Sequence, residues 1–302
     1  MKVRLGINTG FAVNRFSAAQ EWIPLVGDVF GLRIVQMTAD LLSPSLPAEI
    51  IRSQIKKINQ LSRKHHVEIK HTFTGAFTRL NHLAHPDKEI RDHWLKWFYK
   101  FVDISIDVGA ESMGSHFGIL TQPDCDDAEK RQTRFFQNVE AWQKIAQYAK
   151  GRGLKYLLWE PMSVPREMGE TLLETRRIQA IVNDHIALPM KLCLDVDHGD
   201  VSSTDPDDTD PYVWIKEFAK ESPLIHIKQS LKNKGGHWPF IPEKNKDGKI
   251  RPFKMIKALE KAGVKDVTLL LELSFRERQP FDRQVVDHIK ASIEYWRPFV
   301  SI

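Results

Sequence analysis

A chain of 302 residues, 42% hydrophobic, 27% charged and 10% aromatic, has ordinary globular composition, which excludes a disordered, collagen-like or bilayer-spanning protein. At this length one large barrel or two average domains can each bury about three quarters of the unfolded chain's surface. The formal charge of +5 is too mild and too evenly spread to mark a nucleic-acid partner, and the two distant cysteines, Cys125 and Cys193, suggest neither a disulfide framework nor a thiolate metal site, which fits a reducing cytoplasm.

The segment Met1–Ile7 enters a strand-like run directly and lacks the apolar stretch of a secretion signal. Eight short runs rich in β-branched and aliphatic residues follow in order: Val3–Asn8, Leu32–Thr38, Val67–Phe73, Ser112–Phe117, Leu154–Trp159, Met190–Val196, Leu224–Lys228 and Val267–Leu273. Their starts lie roughly 30–45 residues apart, about the repeat of a strand-plus-helix unit in an eight-fold barrel. Between them, apolar residues at spacings of three and four mark helices. One stripe is Ile90, Trp94, Trp97, Phe98, Phe101 and Val102, within Asp87–Asp107, and another is Phe281, Val285, Ile289, Ile293 and Trp296. Strands apolar on both faces favour a parallel sheet, and no G-x-G-x-x-G turn follows the first strand. The expectation is therefore α/β, a single (β/α)8 barrel over residues 1–302. The stretches Asp205–Pro211 and Lys232–Pro252 would then be loops at its C-terminal face, the second long enough for a lid.

Four successive predicted strands each deliver one ionisable residue near the end where barrel active sites lie: Glu160, Asp195, His226 and Glu272. A lone charge in an apolar strand costs several kcal/mol, more than a marginally stable fold can carry four times, so the four must compensate one another or share a cation. Three carboxylates and an imidazole without sulfur suit Mn2+, with Mg2+ or Co2+ as alternatives, better than structural Zn2+. The competing reading is structural: Glu160 and Glu272 in buried ion pairs with Lys or Arg, and His226 donating to a backbone carbonyl. His116 and His71, in strands four and three, also point toward the mouth as substrate contacts or as hydrogen-bonded barrel lining. Trp22 and Trp159 read as core, whereas Trp238, in the loop Gly235–Phe240, reads as part of a lid.

The runs Trp159-Glu160-Pro161, Leu194-Asp195-Val196-Asp197-His198-Gly199, His226-Ile227-Lys228-Gln229-Ser230 and Leu271-Glu272-Leu273-Ser274 resemble, in order and spacing, the xylose isomerase-like barrels of the ketose 3-epimerase and hydroxypyruvate isomerase type. The resemblance implies that Glu160, Asp195, His226 and Glu272 hold one divalent metal, usually Mn2+, that Glu160 and Glu272 are the catalytic acid/base pair, and that His198 touches substrate hydroxyls. It also implies a possible homo-oligomer. Where free-ketose epimerases carry a substrate-binding glutamate, this chain has Arg166, and where they carry an arginine it has Lys232. That cationic exchange suits a sugar phosphate. The segments Thr72–His82, with Arg79, and Phe11–Phe16, with Asn14 and Arg15, resemble the subset acting on tetrulose phosphates.

The resemblance thus implies metal-assisted epimerisation at C3 of a ketose, with an erythrulose phosphate preferred, by proton abstraction and return through an enediolate. An aldose–ketose isomerase or a free-ketose 3-epimerase is the alternative. Apurinic endonucleases share the barrel but need a histidine-rich trinuclear zinc site and a basic rim, and a non-catalytic sugar-binding barrel is a further alternative. The expected partner is a small sugar or sugar phosphate, with no nucleic acid and no membrane.

Overall fold

A computed structural model describes residues 1–231, 234–275 and 282–302. The barrel strands are β1 (Lys2–Asn8), β2 (Ile34–Thr38), β3 (Glu68–Phe73), β4 (Ser112–His116), β5 (Tyr156–Glu160), β6 (Met190–Asp195) and β7 (Leu224–Ile227). A short antiparallel pair, β8 (Gln229–Leu231) and β9 (Lys234–Trp238), precedes the last barrel strand, β10 (Asp266–Leu271). The eight barrel strands close in the order β1-β10-β7-β6-β5-β4-β3-β2, every pair parallel. The expected barrel is therefore the observed fold, with strand ends displaced by one or two residues: β1, β5 and β10 gain a residue at one end, and every strand but β1 loses one or two. The helices α1 (Ala19–Pro24), α2 (Ala48–Lys64), α3 (Lys88–Asp107), α4 (Gln122–Asp126), α5 (Ala128–Arg152), α6 (Leu172–Val182), α7 (Pro211–Phe218), α8 (Pro242–Asp247), α9 (Pro252–Lys261) and α10 (Val285–Trp296) fill the connections.

Helix α3 starts where Asp87 caps it, accepting from the Glu89 N–H at 2.8 Å, and it buries Trp97, Phe98, Phe101 and Val102 as its stripe requires. The N-terminal part of the expected stripe is not buried: Ile90 is exposed and Trp94 half-buried. Helix α10 buries Val285, Ile289, Ile293 and Trp296, and Phe281 lies outside the described residues. The long connection after β7 is not irregular: it contains the β8–β9 pair and α8, and Pro252 opens α9.

Strand alternation divides the core in two. Leu157, Trp159, Leu192, Leu194, Ile225, Ile227, Leu269 and Leu271 face the helices. Ile34, Phe73, Tyr156, Leu158, Cys193, Leu224 and Leu270 form a separate cluster inside the barrel. Two residues further along each strand, on the same inward face, the character changes: Gln36 follows Ile34, Glu160 follows Leu158, Asp195 follows Cys193, His226 follows Leu224 and Glu272 follows Leu270. An apolar layer thus supports a polar one at the C-terminal ends of the strands. Gly114 in β4 belongs to this interior. A Cβ there would lie 2.5 Å from the Phe73 ring and 2.6 Å from the Leu158 Cβ, so the missing side chain is what admits the phenyl ring.

Candidate active site

The polar layer floors a cavity of about 750 Å3 at the barrel mouth. Register sets its geometry: His226 pairs across the sheet with Asp195 and with Leu270, two residues before Glu272, while Glu160 pairs with His116. His226 Nδ1 consequently lies 2.9 Å from Glu160 Oε1, 3.4 Å from Glu272 Oε1 and 3.9 Å from Asp195 Oδ2. One donor atom from each of Glu160, Asp195, His226 and Glu272 falls within 4.8 Å of the others, close enough for the four to surround one ion. Three hard oxygens and one imidazole fit a divalent cation of the Mg2+ or Mn2+ type.

Lys228, which the sequence reading passed over, is fully buried beside them. Its ammonium donates to Asp195 Oδ2 and, at 2.9 Å, to Glu272 Oε2. The ion-pair alternative therefore holds for Glu272, and charge compensation alone does not require a foreign cation. Lys228 lies two residues after His226 and shares its face, so strand alternation was the signal that could have found it. His237 in β9 was also missed. Its Nδ1 lies 3.3 Å from Glu272 Oε2 and 3.1 Å from the Lys228 Nζ.

Burial opposes charge on Glu272, but His226, Lys228 and His237 outweigh it and hold the carboxyl well below its usual range. Burial also works against the Lys228 ammonium, yet Asp195, Glu272 and Glu160 raise its pKa above the ordinary lysine value. For His226 burial again opposes the charged form, and Cys193, Glu272 and Glu160 more than offset it, raising its pKa well above the usual histidine value. Beneath it, burial pushes the Cys193 thiol up to about 12, so this cysteine is a neutral packing group.

His198, three residues past Asp195, lines the cavity. Its Nδ1 donates to the Pro161 carbonyl at 2.8 Å, leaving Nε2 for the cavity side, 3.9 Å from Asp195 Oδ2. His116 also lines the cavity, and burial lowers its pKa to about 3, so it is a neutral ring there. At the rim, Arg79 donates to Glu167 at 2.5 Å. Arg15 donates to Asp282 and, at 2.7 Å, to the Phe275 carbonyl. Gly75 stands in the same rim because the Asp40 carboxylate lies against it, where a Cβ would meet Oδ2 at 2.0 Å.

Other sequence candidates sit elsewhere. Arg166 does not line the cavity. It lies 3.3 Å from Glu167 and 3.5 Å from the Leu120 carbonyl, so it reaches the rim through the carboxylate it shares with Arg79. His71 is sealed inside the barrel, its Nδ1 2.8 Å from Ser112 Oγ and its pKa lowered to about 3 by burial. Asn14 is exposed, with a φ of 62°, between the lining residues Val13 and Arg15. Trp238 is half-buried under the Lys244 ammonium, 3.9 Å from the ring centroid, and its neighbour His237 faces the cavity instead. Trp22 and Trp159 are buried in the core as expected. Lys232 lies outside the described residues. Asp197 secures the roof to the floor: it accepts from Ser230 Oγ in β8 and, at 2.7 Å, from the Gly236 N–H in β9.

A family profile described as "Xylose isomerase-like TIM barrel" matches residues 29–299. A curated relative from Brucella abortus (strain 2308), named D-erythrulose 1-phosphate 3-epimerase, is 40% identical over all of this chain and 97% of its own. Among solved structures, a putative xylose isomerase from Rhodospirillum rubrum superposes with a TM-score of 0.89 at 24% identity, covering 99% of this chain and 100% of that one. A D-psicose 3-epimerase from Clostridium cellulolyticum gives 0.71 at 14% identity over 99% and 100%. Among the described residues no helix is long and apolar enough to cross a membrane. With its closed parallel barrel, a profile match over residues 29–299 and a full-length relative, the chain belongs to the xylose isomerase-like TIM barrel family.

Proposed function

We propose that the protein is a divalent-metal-dependent 3-epimerase of a tetrulose phosphate, with erythrulose 1-phosphate as the substrate to try first. The convergence of Glu160, Asp195, His226 and Glu272 at the floor of the mouth cavity carries the reading, and the name of the 40% identical relative supports the substrate. Against the three carboxylates, Lys228 and the raised His226 supply two positive charges, and a divalent cation that displaces the His226 proton would bring the cluster to neutrality. Mn2+ is the favoured ion, with Mg2+ and Co2+ as alternatives.

Such an ion, when bound, supplies Lewis-acid stabilisation of the charge that builds on the ketose carbonyl and the neighbouring oxygen. The chain's own residues do the rest. Glu272, held ionised by His226, Lys228 and His237, is poised to take the C3 proton, while Glu160, from a different strand, returns one from the other side. His198 Nε2 accepts from a substrate hydroxyl. Arg15 and Arg79 at the rim receive the phosphate, through guanidinium donors suited to phosphate oxygens. The one-domain organisation of residues 1–302, a cytoplasmic setting supported by free Cys125 and Cys193, and self-association as a homo-oligomer belong to the same proposal.

The test is to incubate the Mn2+-loaded protein with erythrulose 1-phosphate in D2O and follow the label by NMR. Deuterium at C3, with inversion at this single stereocentre read by loss of optical rotation, is the expected result. In a parallel run with erythrulose 4-phosphate, whose C1 hydroxyl is free, label at C1 with formation of an aldose phosphate would make the protein an aldose–ketose isomerase, and absence of label from both substrates would exclude both activities.

A further inference from the structure

A hydrogen-bond chain that runs from the cavity wall at Gly10 and Asn8 into the barrel interior at Gln36 fixes which nitrogen of His226 faces the carboxylates. The Gly10 backbone N–H can only donate, and it donates to Asn8 Oδ1 at 2.7 Å. The Asn8 amide nitrogen is thereby turned the other way, where it donates to Gln36 Oε1 at 2.6 Å. The same oxygen lies 2.7 Å from His226 Nε2. An amide oxygen only accepts, so Nε2 carries a proton. Reversing the Gln36 amide would set its NH2 against that of Asn8, and reversing Asn8 would set its NH2 against the Gly10 N–H. The backbone therefore dictates every orientation in the chain.

A carboxylate oxygen also only accepts, so Nδ1, 2.9 Å from Glu160 Oε1 and 3.4 Å from Glu272 Oε1, carries a proton as well in the metal-free chain. With the Nε2 proton held by Gln36, the Nδ1 proton is the one a cation among those carboxylates would displace. Gln36 and His226 are fully buried, so water does not compete for the contact between them, whereas Asn8 lines the cavity. We propose that Gln36, oriented through Asn8 by the Gly10 N–H, is a positioning residue that makes Nδ1 the metal-facing nitrogen of His226. This rests on the metal-dependent reading above. Partners of this kind typically change metal affinity by about 10–100-fold when removed.

The test is calorimetric titration of chelator-treated protein with Mn2+ at pH 8, together with NMR of the 15N-labelled histidine rings in the protein supplied with diamagnetic Mg2+. Gln36→Leu should weaken Mn2+ binding by about 10–100-fold, and Gln36→Glu, which keeps the acceptor, should restore it to within about threefold of the parent. Asn8→Asp is isosteric and should also weaken binding. It reverses the Gln36 amide, placing NH2 against Nε2 and driving the ring proton to Nδ1. Its added negative charge alone would strengthen binding, so a loss is specific to the relay. The NMR should show an Nε2-protonated ring in the parent and an Nδ1-protonated ring in Asn8→Asp. Unchanged affinity in Gln36→Leu, equal or tighter affinity in Asn8→Asp, or an Nδ1-protonated parent ring overturns the proposal. A parent that binds no Mn2+, Mg2+ or Co2+ overturns the metal reading, and this proposal falls with it.

Discussion

Two sides of the barrel interior hold buried histidines of opposite character. On the side of β5, β6, β7 and β10, His226 sits among three carboxylates and its pKa is raised. On the side of β3 and β4, His71 and His116 are just as deeply buried, and burial lowers both to about 3. Burial alone makes an imidazole a neutral wall, and carboxylates at the same depth are what make it part of an ionic site. The difference explains why one side is suited to proton transfer and cation binding while the other is suited to shaping the cavity.

The contrast can be broken most severely at the carboxylates. Glu272→Gln or Glu160→Gln should slow solvent-deuterium exchange into substrate by about 10^2–10^4-fold, read by NMR with circular dichroism unchanged. Lys228→Met should come next, because it leaves Asp195 and Glu272 without their buried ammonium. A loss of about 3–5 kcal/mol in urea unfolding is expected, and a change below about 1 kcal/mol would mean that the cluster is compensated otherwise. At the rim, Arg79→Met and Arg15→Met should each raise KM for a tetrulose phosphate by about 10–100-fold and leave KM for the free tetrulose nearly unchanged.

The smallest effect sharpens the other side. His71 has a folded pKa of about 3 against about 6.5 unfolded, with Lys70, Arg4 and His226 adding to the effect of burial. Only the unfolded chain takes up the proton between those values. His71 therefore contributes stability that is complete above pH 6.5 and is lost as pH falls toward 3. By pH 5.5 the loss is about 1.4 kcal/mol, and His71→Asn should flatten the stability–pH profile by that amount in denaturant titrations.

The strands and the four donors were legible because both follow from period-two alternation, an apolar inward residue and then an ionisable one two positions on. The same rule extended one step would have exposed Lys228, and applied to β2 it would have exposed Gln36. The rim was harder to read. Arg166 and Arg79 stand in different loops and meet at Glu167, an encounter that spacing along the chain does not encode. The stretch after β7 looked irregular because its glycines and prolines mark turns, and here the turns separate a strand pair from two helices. Trp238 drew notice by its place in an expected lid loop, whereas pleating along β9 turns its neighbour His237 to the cavity.

The absent side chain at Gly114 reaches further than its own strand. It admits the Phe73 ring, and that ring stands edge-on to the His226 ring with centroids 5.7 Å apart. Phe73 is thus a spacer between β4 and the donor set, and its thickness is fixed by a residue that touches neither ion nor sugar. A single methyl group added at position 114 would press the phenyl toward the imidazole, giving an uncharged substitution in a neighbouring stave leverage over where that ring stands among the carboxylates.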